Sequence, residues 1–176
     1  ENYPFWHTFF TKLGFRVVLS EKSSRKTYEK GIESMPSESV CYPAKLTHGH
    51  IMSLIEQGIT KIFYPCIPFE NKEYKGADNH YNCPIVISYP EVIKNNVEDL
   101  KMKNIQFINP FLPLRINALA TRFMELEEFK EYGITKKEYV KAIRAAHNEY
   151  RNFKRDIQSK GEETLKYLKE NNLNGI

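Results

Sequence analysis

Apolar residues recur along this chain at two spacings, and the change from one to the other marks its elements. Over residues 4–14, Phe5, Phe9 and Leu13 fall about four apart, the period of one helix face. Pro4 suits a first helical turn and Gly14 the position just past the end. Residues 15–19 carry the continuous run Val17-Val18-Leu19, which reads as a short buried strand. Ser23 or Ser24 is placed to cap a helix running to about Lys30. A polar loop over 34–39 follows. Residues 42–57 form the next helix, with Leu46, Ile51, Leu54 and Ile55 as its buried positions and Gly58 as its end. A strand is predicted at 61–64, closed by Pro65 and Cys66. Residues 67–82 are polar and irregular, too long for a tight turn and therefore a place for function. Ile85-Val86-Ile87 is β-branched throughout, which predicts a strand over 84–88. A helix over 90–101 and a strand over 105–108 complete the alternation.

Helix and short buried strand in turn predict an α/β fold, a mostly parallel, doubly wound sheet of Rossmann or flavodoxin type. Beyond Pro113 the character changes. Residues 114–132 read as a helix ended by Gly133. Thr135-Lys136-Lys137-Glu138 has the capping-box pattern of a helix start. Tyr139, Ile143, Ala146, Tyr150, Phe153 and Ile157 then follow at spacings of three and four, and the helix reaches toward Leu168. The expected organisation is an α/β lobe over 1–112 and a helical extension over 113–176 that leads to a second lobe outside this sequence. Both ends read as interior to a longer polypeptide. The chain enters its first helix at once, and Asn174-Gly175-Ile176 has the look of a turn before a strand.

Composition narrows the class without naming it. Across 176 residues, 41% are hydrophobic and 27% charged, an ordinary globular balance. The net charge of +4 is mild, and Lys and Arg are interleaved with Glu and Asp between Met124 and Glu170, a solvated face rather than a nucleic-acid footprint. No apolar run has the length of a membrane span, so no membrane partner is expected. Three cysteines, widely spaced and odd in number, argue against a disulfide framework and fit a reducing cytoplasm.

Two cysteines have informative settings. Cys41 lies where a polar loop enters a helix, a position that favours a thiolate. Cys66 lies just past the carboxyl end of a predicted strand, the edge on which open α/β sheets place ligands. A helix and a strand separate them, so the connection returns both to the same edge, where they could share a metal centre. The plainer reading is that both are small buried hydrophobes. Close cysteine pairs of the zinc or redox kind are absent, as are Gly-rich phosphate loops.

The stretch Pro36-Ser37-Glu38-Ser39-Val40-Cys41-Tyr42-Pro43-Ala44-Lys45, with Gly49, Phe63-Tyr64-Pro65-Cys66 and Asn79-His80-Tyr81-Asn82-Cys83-Pro84, resembles a domain of unknown function. That domain occurs in acyl-CoA dehydratase activase proteins, relatives of the activator of 2-hydroxyglutaryl-CoA dehydratase. It is similar also to the 2-hydroxyacyl-CoA dehydratase subunits. The resemblance implies a [4Fe-4S] iron–sulfur cluster held by Cys41 and Cys66, serving low-potential electron transfer in the dehydration or reduction of an acyl thioester under anaerobic metabolism. In the dehydratase pattern a further cysteine comes from a second α/β domain. Here Cys83 is the available third metal ligand. It precedes the strand predicted at 84–88, and a parallel strand would leave it at the opposite edge from Cys66; only a folded-back loop over 67–83 would return it. The ATPase portion of an activase is not in this sequence, so ATP hydrolysis is not assigned to it.

Glu38, Lys45 and His80 are the further cofactor-binding candidates. Glu38 either caps the helix after Cys41 or bonds near a substrate. Lys45, one turn into that helix, either meets a phosphate or carbonyl or stays on the surface. His80 sits with Tyr81 and Glu70 in the irregular loop. His48 and His50 lie on different helix faces, and His147, Trp6 and the nearby phenylalanines read as structural. Three functions follow: an iron–sulfur fragment of a dehydratase or activase-related protein, inactive by itself; a non-catalytic docking module between an activator ATPase and its dehydratase; or a metal-free CoA-binding α/β domain with a basic cleft near Lys45. Expected partners are the rest of the polypeptide, the activator ATPase or a dehydratase subunit, and acyl-CoA.

Overall fold

The computed structural model describes residues 2–72 and 74–175. In chain order the elements are α1 (Tyr3–Lys12), α2 (Arg25–Gly31) with a 3-10 turn (Ile32–Ser34), α3 (Tyr42–Glu56), β1 (Lys61–Phe63), α4 (Pro84–Asn96), α5 (Asp99–Met102), β2 (Gln106–Ile108), α6 (Ile116–Glu125), α7 (Glu127–Lys130) and α8 (Lys136–Glu170). They gather into two compact units: Val18–Arg122, and the residues up to Val17 together with those from Phe123 onward. The first helix, counted by sequence with the α/β lobe, thus clusters with the C-terminal helices.

In the Val18–Arg122 unit β1 and β2 pair in parallel, Ile62 opposite Phe107. The ladder runs beyond the strands, because Cys66 N–H donates to the Pro110 carbonyl at 2.9 Å and Leu112 N–H to that of Cys66 at 3.0 Å. A core cluster of this unit joins Ala44, Ile51 and Ile55 of α3, Ile62 of β1, Tyr89, Ile93 and Val97 around α4, and Leu100 of α5. The helix ends follow from sequence. Ser24 caps α2, its hydroxyl accepting from Thr27 N–H at 3.1 Å. Gly58 (φ +75°) closes α3, with Ile59 N–H reaching back to the Leu54 carbonyl at 3.1 Å. Helices α2 and α3 cross at two glycines. A Cβ on Gly49 would stand 1.7 Å from the Thr27 carbonyl oxygen, and one on Gly31 2.4 Å from the Gly49 nitrogen.

The other unit is built on aromatic rings. Phe9 and Phe123 lie 4.7 Å apart between centroids, and Phe10, Phe129 and Tyr139 pack around them. Thr135 and Glu138 close the capping box that starts α8. The inner stripe of α8 is buried over Tyr139, Ala142, Ile143 and Ala146, and the later apolar positions Ile157, Leu165 and Tyr167 are exposed.

Among the described residues the sheet has two strands, and two predicted strands take other forms. Residues 15–19 pair with no strand. Gly14, at φ +89°, ends α1, and Phe15 N–H turns back to the Phe10 carbonyl at 3.0 Å. The Phe15 ring then packs on Phe10 and Tyr132, at 5.7 and 4.9 Å. The apolar residue after the glycine thus serves the end of the helix. Residues 84–88 are the first turns of α4. Pro84 occupies the helix start, where its missing N–H costs nothing, and the β-branched run lies in the helix. No described helix is long and apolar enough to cross a membrane.

Candidate functional site

The three candidate thiols stand at the ends of elements. Cys66 lies on the continuation of β1, bridged to Phe111. Cys41, in extended backbone, is the N-cap of α3 and Cys83 the N-cap of α4, each with proline just inside the helix. A hydrogen bond joins the two helices, His48 Nε2 to Tyr89 Oη at 3.1 Å. His48 lies seven residues past Cys41 and Tyr89 six past Cys83. At 1.5 Å per residue each is about 10 Å down its helix.

The loop over 67–83 folds back, and its fold explains how. Phe69 and Tyr81 form an antiparallel bridge, and their rings meet at 4.4 Å. Glu70 N–H donates to the His80 carbonyl and Asn82 N–H to that of Pro68, each at 2.9 Å. Asn82 Nδ2 donates to the Ile67 carbonyl at 2.9 Å and to Glu70 Oε1 at 3.1 Å. One more step in this register sets Cys83 opposite Ile67, the neighbour of Cys66. Side chains alternate along extended backbone, so the two thiols face opposite ways.

Cys41 and Cys83 are exposed, while Cys66 is fully buried. Its Sγ–H points to the Asn109 carbonyl at 3.7 Å. Burial pushes this thiol up to about 11; the Glu91 carboxylate adds to the rise and Lys94 opposes it. Asn109 is itself held from both sides, donating to Glu91 Oε1 at 2.6 Å and accepting from Lys94 Nζ at 3.3 Å. An iron–sulfur cluster needs thiolates turned to a common centre. Cys41 and Cys83 meet the exposure that this requires; Cys66, as it stands, does not. Among the described residues no group of three or more His, Cys, Asp or Glu side chains is gathered as a metal ion would need.

Of the other candidates, Glu38 is exposed in a turn in which Ser39 N–H donates to Ser37 Oγ at 3.2 Å, and Lys45 is half-buried. His80 is exposed, its ring 5.8 Å from that of Phe69. His147 packs edge-on against Phe5 at 4.9 Å.

Sequence reading missed the contacts of His48. Ser34 Oγ donates to the Gly31 carbonyl at 3.0 Å, so at 2.8 Å it accepts from His48 Nδ1–H. The lone pair of His48 then stands at Nε2, and Tyr89 O–H donates to it. Burial lowers His48 to about 4, so the ring is neutral. Burial raises Tyr89, and a charge on Cys41 would raise it further. Tyr64 is pushed up to about 12, again by burial, against a hydrogen bond from Thr47. The clue to Tyr89 was present: Pro84 directly after Cys83 is a helix-start signal, hidden by the β-branched residues that follow.

No curated protein and no solved structure matches the chain. One family does, and it spans every residue from 1 to 176: the family described as CoA enzyme activase uncharacterised domain (DUF2229). The chain belongs to that family.

Proposed function

We propose that this chain is the thiol-bearing lobe of an acyl-CoA dehydratase activase-related protein, and that its sheet edge supplies ligands to an iron–sulfur cluster. The observation that carries this reading is the pair of exposed thiols, Cys41 and Cys83, each the N-cap of a helix with proline in its first turn. Family membership over the whole chain supports the connection to CoA enzyme activation. Cys41 and Cys83 are the first ligands. Cys66 becomes a third when its thiol turns from Asn109, and the rest of the ligand set comes from other parts of the polypeptide. Bound there, a [4Fe-4S] cluster would supply one-electron transfer at low potential. Glu38 and His80, both exposed in the flanking loops, are placed to meet a CoA-bound substrate or partner subunit.

Anaerobic reconstitution with iron and sulfide, read by visible absorption and iron content, tests the ligand assignment. Iron retained by the wild type and lost in Cys41→Ser and Cys83→Ser supports it. Iron that stays bound in both variants removes it. A second reading, a docking module between an activator ATPase and its dehydratase, is favoured by the inward-facing Cys66. It predicts no iron at any stage, and loss of partner binding when the exposed 69–81 hairpin is altered.

A further inference from the structure

A second group of reactive side chains lies away from the thiols, where the segment before α2 crosses α3. His50, on α3, makes two hydrogen bonds: its Nδ1 is 2.9 Å from Ser20 Oγ, and its Nε2 is 3.0 Å from Ser23 Oγ. Ser20 and His50 are half-buried, and Ser23 is exposed. A neutral imidazole carries one proton and one lone pair. When Nδ1–H donates to Ser20, Nε2 is the acceptor and Ser23 O–H points at it. This is the arrangement of an activated nucleophile: a hydroxyl open to solvent, a base in contact with it, and a third group holding the far side of the base. We propose that Ser23 is an acyl-accepting nucleophile, with His50 as its base and Ser20 as the residue that positions His50, and that its substrates are activated esters and thioesters.

The step balances as follows. Ser23 Oγ bonds to the acyl carbon as the carbon–sulfur bond breaks; its proton passes to His50 Nε2 and then to the departing thiolate. The products are an acyl ester on Ser23 and a free thiol. Burial lowers His50, with the Glu21 carboxylate opposing that effect, so the ring is available as a base near neutral pH. Nothing here depends on Cys41, Cys66 or Cys83.

The test uses an alkyl fluorophosphonate on the chain, with the adduct mapped by peptide mass spectrometry. In this reaction the Oγ–P bond replaces P–F, and fluoride leaves. The expected result is a single adduct on Ser23, absent in Ser23→Ala and formed about 100-fold more slowly in His50→Gln. Gln can still bond to the serines, and circular dichroism confirms its fold. Ser20→Ala slows labelling and Ser20→Thr restores it. With phenyl thioacetate, the wild type releases a burst of about one equivalent of thiol. A wild type that stays unlabelled, or a folded His50→Gln labelled at the wild-type rate, overturns the proposal.

Discussion

Acidification should weaken the Val18–Arg122 unit through one residue, His48. The ring is fully buried between Ser34 and Tyr89 and holds no proton beyond the one it donates. Its ordinary value is 6.5, and the fold lowers it to about 4. The unfolded chain therefore takes up a proton on this side chain at a higher pH than the folded chain does. Stability contributed by the neutral ring is complete above about pH 6.5 and is lost as pH falls toward 4. At 1.36 kcal/mol per pH unit the whole loss is about 3 kcal/mol, a large part of the 5–15 kcal/mol typical of a domain. Urea unfolding at a series of pH values, on wild type and His48→Gln, measures it. His50 is also lowered, but it is present in both proteins and cancels in the difference. The variant should be weaker at pH 7 by roughly 1–3 kcal/mol, because Ser34 and Tyr89 lose their partner. It should also show a flatter acid limb. Parallel acid limbs for the two proteins would refute the account of a neutral buried ring.

Further outcomes follow from single contacts. Gly49→Ala drives a methyl to 1.7 Å from the Thr27 carbonyl oxygen and should cost roughly 3 kcal/mol or more in thermal unfolding, whereas Gly161→Ala, in open space on α8, should stabilise that helix by about 1 kcal/mol. A chromogenic disulfide reagent should titrate two thiols in the native protein, Cys41 and Cys83, and a third only in denaturant; rapid reaction of Cys66 in the native state would contradict its burial against Asn109. Asn82→Ala removes the bonds to the Ile67 carbonyl and Glu70 and should cost about 1–2 kcal/mol, with amide exchange rising first in the 67–82 segment.

The parts of this fold legible in sequence are those set by local chemistry. Pro4, Ser24, Gly58 and the Thr135–Glu138 pair mark helix ends, and the helices lie where those residues put them. The strands at β1 and β2 were also readable from their apolar runs. Residues 15–19 and 84–88 were not, because a short run of Val and Ile has the same composition in a buried strand and in a packed helix. What decides there is the glycine or proline at its edge, and Gly14 and Pro84 settle both cases. In the site, the position of Cys41 at a helix entry and of Cys66 past a strand end follows from the order of elements. The direction each thiol faces does not, because it depends on the register of a hairpin whose closing residue, Asn82, has no periodic signal. Tyr89 and the two serines on His50 were hidden for a related reason: their partners lie 27 to 41 residues away.

The closure made by Asn82 has a consequence for how the chain tolerates change. The excursion leaves and re-enters the fold at Ile67–Pro68 and Asn82, where the two ends are clasped together. Between them lies an exposed tip that turns at Tyr74–Ala77. Lengthening a loop whose ends are already joined adds little closure entropy, about 0.6 kcal/mol for each doubling. Residues at that tip can therefore be inserted, removed or replaced by a spectroscopic label while Cys66 and Cys83 keep their places. The hairpin is thus a cassette between β1 and α4, open to exchange without refolding of the strand before it or the helix after it.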